Sequence, residues 1–107
     1  MTTAAESHQL EQPAPEDIRV ETVLDALADP VRLSIVRALA TEPGGVACGE
    51  VPLPVSNSTR THHFRALREA GVISTRVEGT RRISTLRRAD LDALYPGLIG
   101  AVLAATQ

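Results

Sequence analysis

The sequence predicts one domain that is mainly α with a small β-hairpin. Three observations predict it. A chain of 107 residues has room for a single compact core. Apolar residues recur at helical spacing in four stretches, beginning near Ile18, Pro30, Asn57 and Arg88. Strand-like alternation is confined to residues 72–86, where "EGT" supplies a turn.

The elements follow in order. Residues 1–16 are polar and carry Pro13 and Pro15, and are expected to be a mobile tail ahead of a folded domain at 17–107. In "IRVETVLDALAD", Val20, Val23, Leu24, Leu27 and Ala28 share helical spacing. Asp29 then reads as an N-cap with Pro30 at the first helical position, and "PVRLSIVRALA" turns Leu33, Ile35, Val36 and Leu39 inward until "EPGG" stops it. Pro52 and Pro54 leave room for only a short helix in "ACGEV". Ser56 caps the next helix, which runs to Ala70 and ends at Gly71. Val72, Ser74, Arg76, Arg82 and Ser84 then alternate with Ile73, Thr75, Val77 and Ile83 as the arms of a hairpin. A last helical pattern contains Leu91, Leu94, Leu98, Val102 and Leu103, with Pro96 and Gly97 predicting a kink or two short helices.

Composition bounds the rest. One tyrosine, one phenylalanine and no tryptophan leave the core to Leu, Val, Ile and Ala, a lean core that gains stability by dimerisation. Cys48 is the only cysteine, so no internal disulfide exists. No basic stretch leads into an apolar run, and nothing approaches a membrane span, so the chain reads as cytoplasmic. There is no glycine-rich phosphate loop, no paired histidine–carboxylate signature and no nucleophile with a base beside it, which points away from an enzyme.

The net charge of −2 hides a division. Residues 1–55 carry nine acids against three arginines, whereas residues 56–88 carry eight arginines against two acids. Polyanion binding depends on where the arginines sit, and here a net +6 lies in one third of the chain.

A helical wheel of residues 57–70 places that charge. Ser58, Thr61, His62, Arg65 and Arg68 form one stripe with Asn57 at its edge, while His63, Phe64, Leu67 and Ala70 face the other way. Short polar groups followed by arginines suit a helix that enters the DNA major groove by its N-terminal end. In the hairpin, Arg76, Arg81 and Arg82 would reach the flanking backbone or minor groove. The plain alternative is an amphipathic surface helix whose polar side chains happen to be small.

Two stretches also resemble a known family. "LDALADPVRLSIVRAL" resembles the first two helices of ArsR-type winged helix-turn-helix repressors, and "VSNSTRTHHFRALREAGVISTRVEGTRR" resembles their recognition helix and wing. Ser56, Thr61, His63, Phe64, Leu67, Arg68, Glu69, Ala70 and Gly71 occupy matching places, and the resemblance covers about residues 20–95. It implies a homodimer joined through the first and last helices, acting on a partly palindromic operator in double-stranded DNA. It implies DNA contacts from Ser56, Asn57, Ser58, Thr59, Thr61, His62 and Arg65, with wing arginines on the backbone and His63 packed beneath the helix. A winged helix also serves as a protein-contact module, in which case the basic stripe would bind an acidic partner.

The resemblance further implies an effector, commonly a divalent metal such as zinc, nickel or cobalt. The usual ligand sets are incomplete here. "VACGEV" offers one cysteine where a Cys-x-Cys is wanted, and Asp90 and Asp92 on the last helices have no histidine beside them. His8, His62 and Cys48 are the remaining candidates, with Cys48 readable either as a redox switch or as a small buried residue.

Overall fold

Asp29 opens a helix by accepting two backbone N–H groups, from Val31 at 2.8 Å and Arg32 at 3.1 Å, with Pro30 at the first helical position. The computed structural model describes residues 7–105. Its helices are α1 (Val20–Leu27), α2 (Pro30–Ala40), α3 (Asn57–Ala70), α4 (Arg88–Leu94) and α5 (Leu98–Ala105). Its strands are β1 (Ser7–Gln9), β2 (Val46–Ala47), β3 (Ile73–Glu78) and β4 (Arg81–Leu86), with single 3-10 turns at Pro15–Asp17 and Cys48–Glu50.

One core joins these elements. Val23, Ala26 and Leu27 of α1 meet Ile35, Val36 and Leu39 of α2, and Phe64, Leu67 and Ala70 of α3 close over them. Val72, Ile73, Leu91 and Ile99 complete the cluster, all of them fully buried. Leu33, expected among the buried residues of α2, packs only partly against it. Val20 and Leu24 depart further from expectation: they share the helical spacing of α1 but stand 40% and 49% exposed. The helix therefore has a second apolar edge that the described residues leave uncovered.

The sheet is antiparallel throughout, in the order β1-β3-β4-β2. β3 and β4 form the hairpin, paired from Ile73 opposite Leu86 to Glu78 opposite Arg81. The two-residue turn between them places Gly79 at φ 63°, the left-handed region that such a connection requires. β2 adds a short strand that the alternation did not announce, setting Val46 against Ser84 and Ala47 against Ile83.

Residues from Ser7 onward, expected in the tail, pair with the sheet, while residues 1–6 lie outside the described residues. His8 sits opposite Val77 in the sheet, and Leu10 N donates to Thr75 O at 2.9 Å. Gln12 Oε1 accepts from Thr75 N at 3.0 Å, and Arg87 Nη1 donates to Pro13 O at 2.7 Å. Pro13 and Ile18 lie against Gly71. Sheet pairing and side-chain hydrogen bonds thus tie this stretch to β3 and Arg87.

Pro96 and Gly97 divide the last helical pattern into α4 and α5, one of the two outcomes expected. No helix of the described residues is long and apolar enough to cross a membrane. Three helices, a reduced helical turn and a β-hairpin packed against the third helix make a winged helix-turn-helix.

Candidate nucleic-acid interface

Local sequence sets both ends of α3. Ser56 Oγ accepts from Thr59 N at 3.3 Å, capping the start. Gly71 takes φ 87° at the other end, where its N–H and that of Val72 return to the carbonyls of Arg68 and Leu67.

The inward side of α3 is His63, Phe64, Leu67 and Ala70, as the wheel predicts. His63 is 8% exposed, and its Nδ1 accepts a hydrogen bond from Arg32 Nε at 3.1 Å. A guanidinium can only donate, so Nδ1 is the acceptor in this contact. Arg32 Nη1 also donates to Ala26 O at 3.3 Å. One arginine therefore links α1, α2 and the underside of α3.

The outward side begins at the capped end. Ser56, Asn57, Ser58, Thr59, Thr61, His62 and Arg65 are all exposed, and no acid interrupts α3 before Glu69. Some of the small groups have work within the helix. Ser56 Oγ donates to Thr59 Oγ1 at 3.1 Å, and Thr61 Oγ1 donates to Asn57 O at 3.0 Å. Hydroxyl oxygens keep acceptor capacity when they donate. Among the described residues, neither Arg65 nor His62 has an ion-pair partner.

The arginines divide by task. Arg60 was not singled out by the wheel, yet it is half-buried and its Nη1 donates to Cys48 O at 3.1 Å and also to Val51 O. It ties the recognition helix to the turn before it. A flank position three and four residues before the buried His63 and Phe64 was the available sequence signal. Arg68 Nε donates to Glu11 O at 3.3 Å. Arg76 pairs with Glu78 and donates from Nη2 to Gly44 O at 3.3 Å. Arg81, at the wing tip, is exposed and lies 3.4 Å from Glu50. Arg82 beside it is exposed and has no ion pair among the described residues.

A groove of about 430 Å³ separates the first turns of α3 from the wing. Asn57, Thr61, Arg81 and Arg82 line it together, with Arg60 and Glu50. Arg68 and Arg76 are not among its walls, so the structure brings part of the expected basic set together and holds the rest elsewhere.

The metal candidates do not assemble. His8 lies on β1 at one edge of the sheet, and Cys48 follows β2 at the other. His62 stands on α3 with its ring 5.7 Å from that of His63, tilted by 58°. Among the described residues no three His, Cys, Asp or Glu side chains gather closely enough to hold a metal ion. Cys48 is half-buried, and burial pushes its thiol above the usual value despite a 3.2 Å hydrogen bond with Ser84 Oγ. A thiol held in the protonated form is a poor metal ligand and a poor nucleophile.

Comparison with known proteins agrees with this geometry. A family model described as "Helix-turn-helix domain" matches residues 27–76, from the end of α1 to the first half of the hairpin. The chain is 33% identical over 86 residues to the HTH-type transcriptional regulator YceK of Bacillus subtilis, covering 78% of this chain and 85% of that protein. It is 41% identical over 75 residues to the HTH-type transcriptional regulator Rv2034 of Mycobacterium tuberculosis, covering 68% of each. These names are those of regulators, not of enzymes. A capped helix whose polar face carries no acid before Glu69, a basic wing beside it and these two relatives together place the chain in the family of helix-turn-helix transcriptional regulators.

Proposed function

We propose that the chain is a repressor of the ArsR type, binding a partly palindromic operator as a homodimer. The observation that carries this reading is the exposed face of α3, on which Asn57, Ser58, Thr59, Thr61, His62 and Arg65 stand with no carboxylate among them. In the major groove these side chains would meet base edges, Arg65 by a bidentate contact to guanine. Ser56 would contribute beside its capping role. Arg81 and Arg82 would meet the flanking phosphates, and contacts of that kind position the protein without reading sequence. Arg68 and Arg76, engaged inside the chain, would contribute mainly through the long-range field.

Support for the homodimer comes from apolar surface that the single chain leaves open. Val20 and Leu24 are exposed on α1, and α5 is the wholly apolar "LIGAVLAA" with Ile99 its only fully buried residue. Two copies joined through these first and last helices would present two recognition helices to two half-sites. A divalent metal such as zinc, nickel or cobalt would act as effector only through donors brought together from both copies, because those of one chain do not gather among the described residues. A regulator of this kind acts in the cytoplasm, where the DNA is.

The test is fluorescence anisotropy of the full chain on duplex DNA from upstream of its own gene, against a scrambled duplex, over a range of salt. The expected result is preference for the upstream duplex, with the logarithm of affinity falling linearly against the logarithm of salt. If both duplexes bind weakly and without that slope, and genome-wide site selection returns no enriched sequence, the DNA reading fails and an acidic protein partner takes its place.

A further inference from the structure

Beneath the recognition helix, beside the groove that faces DNA, lies a second and smaller cavity of about 50 Å³. Its walls include three arginines from two elements, Arg60 and Arg68 of α3 and Arg82 of β4. No carboxylate lines it. Several other arginines are ion-paired, Arg76 with Glu78, Arg81 with Glu50 and Arg87 with Asp90. None of the three cavity arginines belongs to an ion pair among the described residues. Arg60 and Arg68 have only neutral carbonyl partners, those of Cys48, Val51 and Glu11.

The other walls add no negative charge. Burial pushes the Cys48 thiol up even though Ser84 bonds to it and Arg82, Arg68 and Arg60 all act on it, so the sulfur is neutral. Thr75 is buried and its hydroxyl is bonded to Ser84 Oγ at 2.8 Å. Phe64 supplies an apolar wall. Three arginines with no carboxylate among the lining residues, all close enough to act on the Cys48 thiol, repel one another, and a bound anion relieves that repulsion. Guanidinium forks match the spacing of oxygens on phosphate or sulfate. The volume takes an ion of a few heavy atoms and excludes a nucleotide.

We propose that this cavity is a binding site for one small tetrahedral oxyanion of the phosphate or sulfate class, held by Arg60, Arg68 and Arg82. The ion has two possible sources, a free inorganic anion or a phosphate of the DNA backbone reaching past Thr61 and Arg82, the two exposed residues of the lining. A free ion there neutralises charge on the side of the molecule that meets DNA, and thereby opposes DNA binding.

Thermal unfolding of the full chain, followed by circular dichroism, tests the free ion without any DNA. Sodium phosphate or sulfate is titrated against sodium chloride at matched ionic strength, with Arg68→Gln and Arg82→Gln run beside the parent chain. Excluded-anion stabilisation rises without saturation and is common to all three proteins. The expected result is an additional saturable rise, roughly 5–10 °C at ten times the dissociation constant, lost in both variants. If Arg68→Gln fails to fold, Arg82→Gln carries the comparison alone. Should no saturable rise occur, the salt slope of DNA binding decides. A slope reduced by about one in Arg68→Gln assigns the cavity to a backbone phosphate. Absence of both the saturable rise and the slope change overturns the site. The anion titration stands even if the operator reading fails.

Discussion

Arg32 Nε donates to His63 Nδ1 at 3.1 Å, so a hydrogen bond joins the first turn of α2 to the buried side of α3. The imidazole is 8% exposed, and without Arg32 its acceptor would face no donor. Arg32→Met is expected to cost about 1–3 kcal/mol in urea denaturation, the range for a buried polar group left unsatisfied. A double-mutant cycle with His63→Leu should return a coupling energy of roughly 0.5–3 kcal/mol. Simple additivity would mean that the pair is close without being coupled.

Asp29 adds a pH dependence to the same corner. Burial pushes its carboxyl up, but the backbone N–H groups of Arg32 and Val31 outweigh that and hold it below the ordinary value of 3.8. A carboxylate depressed on folding contributes stability that is fully present above its unfolded pKa and fades as pH falls through the lower folded one. Asp29→Ala should therefore cost about 1 kcal/mol at neutral pH, as loss of an N-cap does. The gap from the parent chain should close as pH drops below the normal aspartate range. A gap that stays constant down to strongly acid pH would show that the cap does not act through its charge.

Much of this was legible because it is local. Ser56 and Gly71 mark both ends of α3 by chemistry confined to a few residues, and the wheel separated His63, Phe64, Leu67 and Ala70 from the exposed stripe. The arm at residues 7–14 was not legible, because Leu10, Gln12 and Pro13 are held by Thr75 and Arg87, more than sixty residues away in sequence. No periodicity reports a three-residue strand whose partner is that distant. Arg60 and Arg65 illustrate a third case. Both are arginines on α3, but which of them turns back depends on the carbonyls of Cys48 and Val51, which accept from Arg60. The polar stripe was thus readable as an exposed face, while the turning of Arg60 back onto the chain was not.

Two glycines at positive φ should respond very differently to alanine. A Cβ at Gly71 would fall 2.6 Å from Ile18 Cγ1 and 3.3 Å from Pro13 Cγ, whereas one at Gly79 would meet nothing within 4 Å. Gly79→Ala then carries only the left-handed backbone cost, about 1–2 kcal/mol. Gly71→Ala carries that cost plus roughly 1–3 kcal/mol of overpacking, and it should loosen the arm. Hydrogen exchange at Leu10 and Thr75 reports the loosening. Equal losses in the two variants would show that the arm yields without resistance.

The proposed homodimer has a direct test in Leu24, 49% exposed on α1. Leu24→Glu places a carboxylate where the single chain is open to water, so the fold of each copy is expected to survive. Sedimentation should show the mass falling by half, with operator affinity lost at concentrations where the parent binds. A variant that stays dimeric would move the interface away from the exposed edge of α1. A parent chain that is monomeric at all concentrations would remove the interface altogether.

Arg65 and Arg81 are both exposed, but the proposed reading gives them different kinds of contact. Arg65 stands on the polar face of α3, where a guanidinium meets guanine edges, and Arg81 stands on the wing, where it meets phosphate. Arg65→Ala should reduce affinity for the preferred duplex by about 1–3 kcal/mol while changing scrambled DNA little, because a base contact carries sequence information. Arg81→Ala should weaken both duplexes alike and reduce the salt slope by about one, because a phosphate contact carries charge alone. Glu50, 3.4 Å from Arg81, sharpens the comparison. Glu50→Gln frees the arginine and should strengthen both duplexes, the opposite of Arg81→Ala. If Arg65→Ala instead weakens both duplexes equally, Arg65 is a second phosphate contact, and sequence reading passes to Asn57, Ser58 and His62 at the capped end of the helix.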